Sequence, residues 1–165
     1  MIRTLPPQAP TTLSAAFAHI NQVTAPSVED LKIMVLLEAA GLELYRTLAA
    51  GTNNPAVAAL LENNGREEMA HAHRVAKAIL AISGEAYPPP ELRDNPYLTE
   101  ALPQMPVSAE RLTGLAHGEF AGETLYETWA ANTRNEEAAR QFRQNGKEET
   151  EHAKRLLEAA ALLAA

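Results

Sequence analysis

Charged residues interrupt four otherwise apolar stripes in this 165-residue chain. In the first stripe Leu31, Met34, Glu38, Leu42, Tyr45 and Leu48 follow the three- and four-residue steps of one helix face. The second reads Val57, Leu61, Asn64, Glu68, His71, Val75, Ala78 and Ile82. The third reads Leu112, Leu115, Glu119, Glu123, Tyr126 and Trp129, and the fourth Ala138, Phe142, Asn145, Glu149, His152, Leu156, Ala159 and Leu163. Capping residues set the ends. Ser27, with Asp30 three residues on, predicts a helix from there to about Gly51. Asn54 followed by Pro55 predicts a second, running to about Ser83 just before Gly84. Ser108 opens a third that reaches about Asn132. A fourth starts near Asn135, with Glu136 and Glu137 at the positive end of its dipole, and runs nearly to the C-terminus.

Short turns join the first helix to the second and the third to the fourth. Residues 84–107, "GEAYPPPELRDNPYLTEALPQMPV", form a connection of 24 residues holding six of the eleven prolines. A connection that long without a helix of its own needs a reason. Two antiparallel hairpins, 27–83 and 108–163, supply it when the crossover must travel the length of a four-helix bundle. Helices of ~25 residues are ~38 Å long, which the crossover can span. The expectation is an all-α bundle domain over 27–165, preceded by an extension, 1–26, in which "TTLSAAFAHINQV" reads as a short helix.

The two hairpins are copies. Shifted by 81 residues, positions 27–80 match 108–161 at 22 of 54 places without a gap. "NGREEMAHAHR" thus returns as "NGKEETEHAKR". Glu38 and Glu68 lie equally far from the first turn, and Glu119 and Glu149 equally far from the second, with His71 and His152 one turn further along. All six therefore share one layer near mid-bundle, ~20 Å from either end. Four ionised carboxylates in an apolar interior cost many kcal/mol unless compensated. Two divalent cations carry the +4 that offsets them, so the pattern points to a dinuclear metal site. Neighbours such as Glu67, Glu148 and Glu151 read as solvated surface residues. His73 and His117 lie off the stripes, and His19 lies outside the bundle.

Composition narrows the chemistry further. There is no cysteine, which excludes disulfides, iron–sulfur clusters and thiol catalysis. A net charge of −7 argues against a nucleic-acid surface. No run reaches the ~20 apolar residues of a membrane span, and the first residues lack a signal peptide's apolar core, so a cytoplasmic location is expected.

One glutamate from each of two helices, with Glu-x-x-His from each of the other two, resembles the carboxylate-bridged dimetal pattern of the ferritin-like superfamily. "EAAGLELY", "EFAGETLY" and the paired "EExxHA" phrases are most similar to its rubrerythrin and erythrin branch. The resemblance implies a ferritin-like bundle, with Glu68 and Glu149 bridging two iron ions (manganese the alternative). It makes Glu38 and Glu119 terminal ligands and gives His71 and His152 one metal each. It implies further that Tyr45 and Tyr126 bond to ligand carboxylates and that Asn64 and Asn145 orient ligands or pair with each other. Glu123 is the candidate for an additional carboxylate. The expected activity is reduction of H₂O₂ by a di-iron site, with O₂ the competing oxidant and an external protein as electron donor, in a homodimer. Ferroxidase activity, a manganese catalase-like activity and a metal-stabilised interaction module are the alternatives. Rubrerythrins carry a cysteine-rich rubredoxin-like domain that has no counterpart in this sequence.

Overall fold

Each helix is preceded by a residue whose side chain accepts from a backbone amide that the helix leaves unpaired. In the computed structural model, which describes residues 1–104 and 106–164, α1 spans Leu13–Ile20, α2 Val28–Ala50, α3 Pro55–Ser83, α4 Ala109–Asn132 and α5 Glu136–Ala164. Met105, within the expected crossover, and Ala165, at the end of the expected bundle domain, lie outside the described residues. Ser27 Oγ accepts from the Asp30 amide at 3.1 Å, and Asp30 Oδ2 accepts from the Ser27 amide at 2.9 Å, a reciprocal capping box. Asn54 Oδ1 caps α3 from the amides of Ala56 and Val57, and Ser108 caps α4. Gly84 stops α3 with φ 76°, a left-handed conformation that glycine adopts without a Cβ clash.

The described residues are helical with no strand. α2 packs against α3, α4 against α5 and α3 against α5. Side chains fix the directions. Gly41 abuts Glu68 while Gly65 abuts Tyr45, and Asn64 bonds to His152 O while Asn145 bonds to His71 O. α3 therefore runs antiparallel to both α2 and α5. The α3 end touches the α4–α5 turn, where Asn135 Nδ2 donates to Ala81 O at 2.8 Å. The start of α4 lies at the opposite end, where Val107 faces Gly51. The crossover accordingly runs the length of the helices.

That crossover is not featureless, contrary to expectation. It holds two 3₁₀ turns, Leu92–Asp94 and Pro96–Leu98. Between them Asn95, buried, donates to Leu36 O at 2.8 Å and accepts from the Tyr97 amide at 3.0 Å. Tyr97 reaches Pro10 O at 2.9 Å, and the Arg3 amide donates to Asp94 O. The N-terminal extension and the crossover thus hold each other against the outer side of α2. This explains why Ile33, Leu36 and Val35 are buried although they lie off the α2 stripe. Ile82 corrects the α3 stripe: it is exposed, and Ile79 is buried instead.

The apolar core is in two pieces. One gathers Leu31, Val75, Ile79, Trp129 and Phe142, and the other Leu48, Val57, Leu61, Leu112 and Leu156. The polar layer lies between them. No helix among the described residues is long and apolar enough to cross a membrane.

Replacing Asn95 by Ala removes the bond to Leu36 O and leaves the buried Tyr97 amide without a partner. The expected cost is about 1–3 kcal/mol, read as a lower urea midpoint at unchanged slope. An unchanged midpoint would show that this residue does not anchor the crossover.

Candidate metal centre

Glu38, Glu68, His71, Glu119, Glu149 and His152 do meet. Their ligand-capable atoms form three overlapping groups, each lying within 4.8 Å: Glu38, His71 and Glu149; Glu68, His71 and His152; and Glu68, Glu119, Glu149 and His152. Glu123 belongs to none of them; its backbone packs instead against Gly146. Glu38, Glu68 and Glu149 are 4–6% exposed and both histidines are fully buried, while Glu119 is the most open. The imidazoles stack with centroids 5.0 Å apart.

Each ring turns Nδ1 inward. His71 Nδ1 lies 3.2 Å from Glu149 Oε1 and 3.7 Å from Glu38 Oε2. His152 Nδ1 lies 3.2 Å from Glu68 Oε1, 3.5 Å from Glu149 Oε2 and 3.8 Å from Glu119 Oε2. None of these approaches has hydrogen-bond geometry, so both Nδ1 atoms and Glu149 Oε2 are buried without a partner. Buried polar atoms are seldom left so. Three orphaned donors and acceptors converging inside a ring of carboxylates fit a metal better than a proton network. The imidazole and carboxylate set suits iron, manganese or zinc.

The outer face of each ring is also held, by residues that sequence reasoning placed on the surface. His71 Nε2 lies 3.1 Å from Glu148 Oε2, and Arg74 clamps the same carboxylate at 2.7 and 2.9 Å. His152 Nε2 lies 3.0 Å from Glu67 Oε2, clamped by Arg155 at 2.7 and 3.1 Å. A carboxylate on Nε2 keeps that proton in place and leaves the Nδ1 lone pair for a metal. Asn145 joins the first clamp, accepting from Arg74 and donating to His71 O, and Asn64 mirrors it with Arg155 and His152 O. The asparagines therefore neither pair with each other nor touch the carboxylates. The available signal was the repeat itself, since Glu67/Glu148 and Arg74/Arg155 recur in both copies. Glu151 is a surface residue, paired with Lys154.

The tyrosines bind carboxylates as expected, but across the bundle. Tyr45 donates to Glu119 and Tyr126 to Glu38, so each hairpin holds the other's glutamate. Glycine beside the ligands permits close helix approach. A Cβ on Gly41 would fall 2.9 Å from Glu68 Oε2, and one on Gly65 would fall 3.0 Å from Tyr45 Cβ.

Burial dominates the electrostatics. It pushes Glu68 well above the usual carboxylate range and lifts Glu119 to about 7. Burial would raise Glu38 and Glu149 too, but the imidazoles lying within 4 Å of them outweigh it and hold both down. Burial would likewise depress the histidines. The Glu148 carboxylate on Nε2, with Glu149 and Glu38 facing Nδ1, instead raises His71, and the facing carboxylates of Glu119, Glu149 and Glu68 raise His152 to about 12. The metal-free layer therefore favours protons on Glu68 and on the two imidazoles and ionised carboxylates at Glu38 and Glu149. Comparison with protein-family models, curated proteins and solved structures finds no match to this chain.

Two divalent ions would take the place of those protons. Loading should therefore release protons at pH 7, measured by titration calorimetry in buffers of different ionisation enthalpy, and should tighten as pH rises. Loading with no proton release would contradict the assignment. Gly41→Ala should displace Glu68 and weaken metal binding on the order of 10–100-fold, read by competition with a chromophoric chelator.

Proposed function

We propose that this chain is a ferritin-like di-iron protein of the rubrerythrin and erythrin kind, which reduces hydrogen peroxide with electrons from an external donor protein. The observation that carries the reading is the pair of unpartnered Nδ1 atoms buried among four carboxylates. The antiparallel helix pairs and the full-length crossover agree with the ferritin-like arrangement. Two Fe²⁺ ions there would supply the two electrons that, with two protons, convert H₂O₂ to two waters.

The chain's own residues define the rest. Glu38 with His71, and Glu119 with His152, form matched ligand sets at the two ends of the layer, and Glu68 and Glu149 stand between them. The Glu67–Arg155 and Glu148–Arg74 clamps keep Nε2 protonated and the rings oriented. Tyr45 and Tyr126 each occupy one oxygen of Glu119 and Glu38, which leaves the second oxygen for metal. The apolar layers on either side exclude bulk water from most of the site.

Anaerobic titration with Fe²⁺ followed by stopped-flow mixing tests the reading. The expected result is saturation at two irons per chain, with oxidation by H₂O₂ on the order of 100-fold faster than by O₂. Preference for O₂ with turnover of many further irons would assign a ferroxidase instead. Loss of thermal stability without any activity in Glu38→Ala and Glu119→Ala would assign a structural metal.

A further inference from the structure

We propose that the cleft between α2 and α4 binds a small, uncharged, apolar organic molecule with one end toward the four glutamates. The cleft has a volume of about 340 Å³, inside the range of about 300–1,000 Å³ typical of ligand pockets. An oxidant the size of water occupies only about 30 Å³, whereas an apolar cavity of about 150 Å³ takes benzene. The space is therefore suited to about ten non-hydrogen atoms. Met34, Leu37, Leu44, Leu115 and Leu125 line it, α1 closes one side with Ile20 and the rim residue Phe17, and Glu38, Glu68, Glu119 and Glu149 form the inner wall.

The repeat shows how the space arises. Gly114 and Gly118 stand on the α4 side of the cleft, and a Cβ added at either meets no atom within 4 Å. The positions 81 residues earlier are Ile33 and Leu37, which are 3% and 1% exposed. Where the first copy keeps two large buried side chains, the second has two exposed glycines that leave the mouth of the cleft open. Glycines weaken a helix and an unfilled apolar wall forfeits packing, so the change lowers stability. Among the described residues, α2 and α4 also make much less contact than the other neighbouring helices do. The inner end of the cleft is formed by Glu149 with the other three glutamates, so the apolar walls lead onto the buried layer. Four carboxylates at the inner end and a chain charge of −7 disfavour an anion, and the walls of Met34, Leu37, Leu44, Leu115 and Leu125 give a charged group no partner, so the occupant is uncharged.

Binding itself requires no metal. Only what the molecule meets at its inner end rests on the di-iron reading, so the test uses the metal-free full chain. Toluene is titrated into protein with ¹³C-labelled methyl groups, with hexanoate as the anionic comparison. The expected result is a saturable shift at the methyls of Met34, Leu37 and Leu115 but not at Val57 or Leu156, with hexanoate much weaker. Gly118→Leu, whose side chain would grow into the open space, should weaken toluene binding by roughly tenfold or more. Shifts that do not saturate, that appear equally in both regions, or that persist in Gly118→Leu would overturn the proposal. A crystal structure of the toluene-saturated wild type decides the matter without the variant: toluene in the cleft supports it, and ordered water alone sinks it. Either outcome leaves the iron stoichiometry, measured separately, untouched.

Discussion

Four glutamate side chains meet inside a helical core, and the cost of burying their charge governs what surrounds them. An isolated buried carboxylate costs several kcal/mol even after relaxation. In the metal-free protein burial favours a proton on Glu68 and Glu119, and the facing carboxylates favour one on each imidazole. Protons balance the charge but leave three inward-facing atoms unbonded. Two divalent ions would balance the same charge and bond those atoms as well. The layer is in this sense better matched to metal than to its own protons.

The rest of the structure follows from holding that layer still. Helices must approach closely enough for carboxylates on one to reach ligands on another, which is why Gly41 and Gly65 stand where a Cβ would collide. The histidines must not turn, so each outer nitrogen meets a glutamate that an arginine locks from the opposite hairpin. The two tyrosines cross from one hairpin to the other's glutamate. Each half of the repeat is therefore completed by the other, and neither hairpin could order its ligands alone.

Local signals made much of this legible. Caps at Ser27, Asn54 and Ser108 and the glycine at 84 act within a few residues of themselves, so the helix ends agree with expectation. The six clustered side chains were readable because they lie on apolar stripes at matched heights, and helix geometry carries both facts. What depended on contacts between distant segments was not readable. Glu67 and Glu148 look like surface residues on their own helices and gain their role only from the α3–α5 register. Glu123 has the spacing of a core position, yet it is half-buried and joins none of the ligand groups. The crossover's 3₁₀ turns depend on Asn95 reaching a backbone carbonyl of α2 that the sequence alone does not place.

The central claim is that these six residues hold two metals in one buried layer. Anomalous diffraction at the iron edge, from crystals grown with Fe²⁺ under anaerobic conditions, tests it most directly. The account predicts two peaks per chain about 3.5–4 Å apart, one beside Nδ1 of His71 and one beside Nδ1 of His152. An empty layer, or iron found only at surface carboxylates, would contradict it.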